Sequence, residues 1–148
     1  MIKYRKGNLL AVTEGVIIHG CNAKGVMGSG VALAVKNTYP EAYEVYKTTE
    51  ESIGLRLGSV NVTGALNPYP KPLLWIANAI TQSNYGKDRN IQYVSYGAVH
   101  TCFKTLNNGF QNSIPFHFPR IGAGLGNGDW NIIEKLIELA CPNRELVC

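Results

Sequence analysis

Long apolar runs are missing from this chain of 148 residues. No stretch of roughly 18 apolar residues is present to span a membrane, and the basic start of the chain is not followed by the apolar segment of an export signal. The four cysteines (Cys21, Cys102, Cys141, Cys148) form no C-x-x-C pair and no zinc spacing with the three histidines, so neither a disulfide framework nor a metal site is expected. These absences lead us to expect a reduced, cytoplasmic protein. Charge is also sparse. Only 16% of residues are charged, and the lysines and arginines are scattered, with no basic stripe of the kind that tracks a nucleic acid backbone. The densest block, Lys3-Tyr4-Arg5-Lys6, reads as a solvated edge strand. The net charge of +4 suits a small anionic ligand. Repeats, low-complexity segments and linkers are absent, and with 45% hydrophobic residues the chain reads as one folded domain over residues 1–148 and as a monomer.

Glycine, by contrast, is plentiful at 16 residues, and it gathers in two places. The apolar run Val16-Ile17-Ile18-His19-Gly20-Cys21-Asn22 leads into Gly25-Val26-Met27-Gly28-Ser29-Gly30, and the segment from Val31 to Lys36 then reads as a helix. The pattern returns at Ile114-Pro115-Phe116-His117-Phe118, followed by Ile121-Gly122-Ala123-Gly124-Leu125-Gly126-Asn127-Gly128 and a helix opening at Asp129-Trp130. Strand, glycine loop, helix is an arrangement in which backbone N–H groups hold a phosphate, and two such loops point to a ligand with two phosphates. The first loop has the wrong order for the dinucleotide fingerprint and lacks the P-loop lysine and serine. By itself it weighs evenly between a phosphate loop and a tight turn. The density of glycine in the second favours close approach of backbone to a ligand.

The remaining pattern predicts edge strands at 2–4 and 9–12, helices at 30–38 and 40–50, a strand at 60–63, and a central strand at 73–80 that is apolar on both faces. Ser95 is a candidate N-cap for a helix ending at Gly109, and Asp129 for one ending before Pro142. A short strand at 145–148 could close the sheet. Strands alternating with helices predict an α/β fold, a three-layer α/β/α sandwich around a mixed, largely parallel sheet. Both glycine loops then fall at the carboxyl ends of strands.

Among individual residues, His19 at the end of a buried strand is a candidate general acid or base, although a lone histidine in an apolar run is more often a satisfied core group. Asn22 could hold a sugar hydroxyl or a water. Cys21 reads as a buried structural thiol, and His100 and His117 as structural. Asn78, Asn84 and Tyr85 could line a pocket at the end of the central strand, with Tyr85 stacking on a base, or belong to an ordinary surface loop.

Together these elements resemble the macro domain family, whose members bind ADP-ribose. The resemblance lies in Ile18-His19-Gly20-Cys21-Asn22-Ala23-Lys24-Gly25-Val26-Met27-Gly28-Ser29-Gly30-Val31-Ala32, in Pro119-Arg120-Ile121-Gly122-Ala123-Gly124-Leu125-Gly126-Asn127-Gly128-Asp129-Trp130, and in Lys6-Gly7-Asn8-Leu9. It is greatest to the branch containing fungal ADP-ribose 1″-phosphate phosphatases and related phage and bacterial proteins. By position, it implies adenine near Asn8 and Leu9. The pyrophosphate would lie between Gly28-Ser29-Gly30-Val31 and Gly122-Ala123-Gly124-Leu125-Gly126, and the distal ribose beside Asn22 and His19. It also makes His19 a catalytic candidate, which reverses the weighting from the residue alone.

Three positions depart from the family pattern. Asn8 replaces a common aspartate, and Gly126 replaces a common aromatic wall. The lysine and aspartate of the glutamate-deconjugating branch are absent near Gln82 or Ser83 and at Gly126, although Lys87 or Asp129 could substitute. The resemblance therefore implies hydrolysis of ADP-ribose 1″-phosphate to ADP-ribose and phosphate, with His19 and Asn22 as the catalytic pair and no cofactor or metal. The alternatives are removal of ADP-ribosyl groups from protein or nucleic acid, and a reader module without chemistry.

Overall fold

Two apolar runs, Gly15–Asn22 (β2) and Leu74–Gln82 (β4), pair in parallel at the centre of a six-stranded sheet. Both are buried on both faces, which is why they read as continuous apolar segments and not as alternating ones. The computed structural model describes residues 1–65 and 73–148. The other strands are β1 (Ile2–Lys3), β3 (Val60–Gly64), β5 (Phe116–His117) and β6 (Leu146–Val147), in the order β1-β6-β5-β2-β4-β3. Among these described strands only β3 runs antiparallel to its neighbour.

Helices α1 (Gly30–Thr38) and α2 (Pro40–Ser52) cover one face of this mixed sheet, and α3 (Tyr96–Gly109) and α4 (Trp130–Ala140) cover the other. The strand alternation divides the core accordingly. Val16, Ile18, Ala77 and Ala79 pack with Val99, Phe103, Ile133 and Ile137 of α3 and α4. Ile17 and Ile76 pack with Val35 and Ala42 of α1 and α2. The three-layer sandwich expected from the sequence is the fold observed. Among the described residues no helix is long and apolar enough to cross a membrane.

Local chemistry sets the boundaries. The Ser95 hydroxyl accepts from the Ala98 N–H at 3.2 Å, and the Asp129 carboxylate accepts from the Asn131 N–H at 2.9 Å, so both expected N-caps are in place. Two strand expectations need correction. Residues 9–12 do not extend as a strand. The Asn8 side chain accepts from the Leu10 N–H at 3.0 Å and winds Leu9–Ala11 into a 3₁₀ turn. The run around residue 116 contributes only Phe116–His117, because Pro115 and Pro119 on either side have no N–H to give the ladder.

Candidate functional site

Where β2 ends, its register to β4 slips between Cys21 and Asn22, and the chain turns out of the sheet. The Asn22 side chain shapes the loop beyond this point. Its carbonyl accepts from the Lys24 N–H at 2.9 Å and lies 2.9 Å from the Tyr46 hydroxyl, and its amide donates to the Val26 carbonyl at 2.8 Å. Met27 and Tyr46 are buried beneath this loop. The loop delivers Ser29 to the N-cap position of α1 in extended backbone, with no side-chain capping bond. The first-turn N–H groups of α1 are therefore open to a ligand.

Opposite lies the second glycine loop. Together the two wall a cleft of about 610 Å³ at the carboxyl ends of the strands. Gly28, Ser29, Gly30 and Val31 stand on one side, and Gly122, Gly124, Leu125 and Gly126 on the other. Asn22 and Tyr85 also line it. Ala123 does not, nor does Asp129, whose carboxylate closes the N-terminus of α4. The glycines of the second loop serve different ends. A Cβ on Gly122 would sit 2.5 Å from Val94 Cγ2, at a φ of +76°, and one on Gly128 would sit 2.6 Å from Val94 Cγ1. These two let the loop fold down onto the core. A Cβ on Gly124 would meet nothing within 4 Å, so this glycine faces open space. The glycine density that reads as a ligand loop is thus in large part a packing requirement.

His19 is not among the residues that wall the cleft. Strand alternation puts it on the same face as Ile17 and Cys21, under α2, where it is fully buried. Asn78 is its register partner on β4, and the Asn78 amide group donates to Ala42 O at 2.9 Å and Asn61 Oδ1 at 2.7 Å. The Asn78 oxygen is thereby turned toward His19 and takes the imidazole Nε2–H at 2.5 Å. Burial pushes the His19 pKa down to about 4, only partly opposed by the Asn78 hydrogen bond. The structure places His19 behind the cleft lining, fully buried and bonded inward to Asn78. Asn78 is equally buried and lines neither this cleft nor the groove beside it. Burial raises the Cys21 thiol pKa, in keeping with its reading as a structural group.

Asn8 and Leu9 line a neighbouring groove of about 930 Å³ rather than the cleft itself. The two spaces meet at Pro119 and Arg120, which line both. The Arg120 guanidinium lies 5.6 Å from the ring centre of Tyr4 and 5.9 Å from that of Trp130.

Sequence reasoning missed two features of the cleft. The first is its charge: among the described residues no aspartate or glutamate lines it, and Lys87 and Arg120 are its cations. The second is how Lys87 is held. The Asn127 side-chain amide donates to the carbonyls of Asp88 at 2.9 Å and Ile91 at 2.6 Å, and the Tyr93 and Val94 N–H groups both donate to Gly126 O. The segment after β4 is in this way fastened to the second glycine loop. Asn127, with a φ of +58°, is the one non-glycine residue in the left-handed region among the described residues, a conformation asparagine tolerates better than most. That preference was the available signal. Among the described residues no group of three or more His, Cys, Asp or Glu side chains could hold a metal ion.

Known proteins share this architecture. An uncharacterized 17.5 kDa protein from the tk-vs intergenic region of Enterobacteria phage T4 is 33% identical, over 99% of this chain and 94% of its own length. A DNA ADP-ribosyl glycohydrolase of Thermus aquaticus is 26% identical over 98% of this chain, which spans only 39% of that protein. An ADP-ribose 1″-phosphate phosphatase of Debaryomyces hansenii is 24% identical over 93% of this chain and 92% of its own length. The solved macrodomain of Thermus aquaticus DarG superposes with a TM-score of 0.80 at 26% identity, over 99% of this chain and 96% of that one. The family model for the Macro domain matches residues 18–137, across both glycine loops and the strands that carry them, and the chain belongs to the macro domain family.

Proposed function

We propose that this chain binds ADP-ribose in the cleft between its two glycine loops and hydrolyses ADP-ribose 1″-phosphate to ADP-ribose and phosphate. The observation that carries this reading is the cleft itself. It has an uncapped helix N-terminus on one wall and a glycine facing open space on the other, and no carboxylate lines it. Such a site favours anions, because backbone N–H groups point into it and nothing in its lining repels negative charge. In this reading the pyrophosphate lies across Ser29-Gly30-Val31 and Gly124-Leu125. The adenine extends past Arg120 toward Asn8 and Leu9, and the distal ribose turns toward Asn22 and Tyr85. Water attacks the terminal phosphorus as the bond from phosphorus to the 1″ oxygen breaks; one water proton ends on the released sugar hydroxyl and the rest of the water on the inorganic phosphate, while backbone N–H groups and Lys87 take up the developing charge. In this reading His19, buried behind the cleft and bonded to Asn78, transfers no proton to the ligand. The similarity to the Debaryomyces hansenii phosphatase along nearly the whole of both chains supports the same reading.

Removal of ADP-ribose from DNA is the second reading, favoured by the similarity to the Thermus aquaticus glycohydrolase. One experiment separates the two. Phosphate release from ADP-ribose 1″-phosphate is measured beside ADP-ribose release from an ADP-ribosylated oligonucleotide, with ADP-ribose titrated calorimetrically in parallel. Phosphate release with ADP-ribose binding is the expected result. Binding with ADP-ribose release from the oligonucleotide alone would replace the first reading by the second, and binding without either would leave a reader module.

A further inference from the structure

Lys87 stands out among the groups that the cleft presents. It lines the cleft, its side chain is exposed, and among the described residues it has neither a hydrogen-bonded nor an ion-paired partner. The other cation there, Arg120, lies against the rings of Tyr4 and Trp130 at the junction with the neighbouring groove. Lys87, on the segment that follows β4, lines the cleft and not the neighbouring groove.

The backbone around Lys87 is fixed on both sides. On one side Gly86 lies so close under the Tyr93 ring that a Cβ there would collide with the Tyr93 hydroxyl. On the other, the Asp88 N–H donates to that same hydroxyl at 3.3 Å, and the Asp88 carbonyl accepts from Asn127 at 2.9 Å. The Asp88 carboxylate, the nearest acidic group in sequence, is turned to the Asn90 N–H at 2.9 Å and does not line the cleft. The result is a pinned backbone at the lip of a cleft lined by no carboxylate among the described residues, bearing an ammonium that has no partner among them. A lysine so placed is a point charge suited to a phosphate dianion, with three donors that can follow its oxygens.

We propose that Lys87 is the specificity-determining residue for a terminal phosphate monoester on the ligand, selecting phosphorylated ADP-ribose over ADP-ribose itself. The proposal rests on the ADP-ribose reading of the cleft but not on catalysis, since a cation that recognises the phosphate favours its binding whether or not the ester is cleaved.

The test is calorimetric titration of wild type, Lys87→Met and Lys87→Arg with two ligands: ADP-ribose, and a non-hydrolysable 1″-phosphonate analogue of ADP-ribose 1″-phosphate. Wild type should prefer the analogue. Lys87→Met should weaken the analogue by about tenfold or more and ADP-ribose by less than about threefold, as loss of one charge-assisted contact predicts. Lys87→Arg should keep most of the preference. Equal weakening of both ligands, or of neither, would overturn the proposal while leaving ADP-ribose binding intact. A wild type that binds ADP-ribose with no preference for the analogue would do the same. If wild type binds neither ligand, the reading of the cleft falls together with the proposal. Lys87 is exposed and bonded to nothing among the described residues, so the variants should fold as wild type does.

Discussion

His19 and Asn78 face each other across the pairing of β2 with β4, the imidazole Nε2–H donating to the Asn78 carboxamide oxygen at 2.5 Å inside the layer roofed by α2. Asn61 on β3 extends the same row, taking the Asn78 amide at 2.7 Å, so three neighbouring strands share one line of buried polar groups. A neutral histidine suits this row, because the ring is fully buried and among the described residues no carboxylate pairs with it.

That neutrality makes stability depend on pH. The His19 pKa is about 4 in the folded chain and about 6.5 when unfolded. Between those values the unfolded chain binds a proton that the folded chain refuses, so stability falls as pH drops through this window and levels off below it. The loss attributable to His19 reaches about 3 kcal/mol at pH 4. Burial depresses His117 in the same direction, so the variant His19→Gln is the comparison that isolates His19. Urea unfolding of both proteins from pH 7 to pH 4 should show the steeper decline in wild type. Parallel curves would mean that His19 titrates normally.

Two glycines of the second loop should separate binding from folding. Gly124→Val adds its side chain to open space, so the melting temperature should stay within about 2 °C of wild type, while affinity for ADP-ribose drops by about tenfold or more. Gly122→Ala forces a Cβ to within 2.5 Å of Val94 at a φ of +76°, and should cost about 3 kcal/mol of stability. Thermal melts and calorimetry on the pair check both statements. Unchanged affinity in Gly124→Val would remove the second loop from the ligand site.

Arg144 should prove the most costly charge to remove. It is buried beside the Phe116 ring at 4.1 Å and donates to the carbonyls of Asn107, Phe110, Gln111 and Ile114 and to the Asn107 side chain, with no carboxylate partner. Its charge is met by carbonyl dipoles at the C-terminal end of α3, which point their negative ends toward it. Arg144→Met removes the donors from these part-buried acceptors together with the packing on Phe116, and should destabilise the fold by about 3 kcal/mol. Arg144→Lys, with three donors in place of five, should recover only part of this in denaturant titrations.

Much of the architecture is determined by residues near one another in sequence. The two central strands announce themselves as apolar on both faces, Ser95 and Asp129 mark where helices begin, and the glycine loops stand where ligands collect in such sheets. The spacing of these motifs carries the family. These features are legible because strand period, capping and glycine backbone freedom act over a few residues.

Tertiary structure alone decided what the candidate residues do. His19 could have faced the cleft or the core with the same local sequence. It faces the core because α2 roofs that side of β2 and because Asn78, 59 residues away, turns its oxygen inward. Asn8 spends its side chain on a turn, and Gly122 is glycine because Val94 lies against it. Arg144 is a structural hub for α3, which no spacing rule would show. Lys87 becomes a cleft cation because Asn127, 39 residues from Asp88, ties its segment to the opposite loop. Periodicity assigns a side chain to a face of its own element, but only the packing of distant elements decides whether that face is roofed by a helix or left open to a ligand.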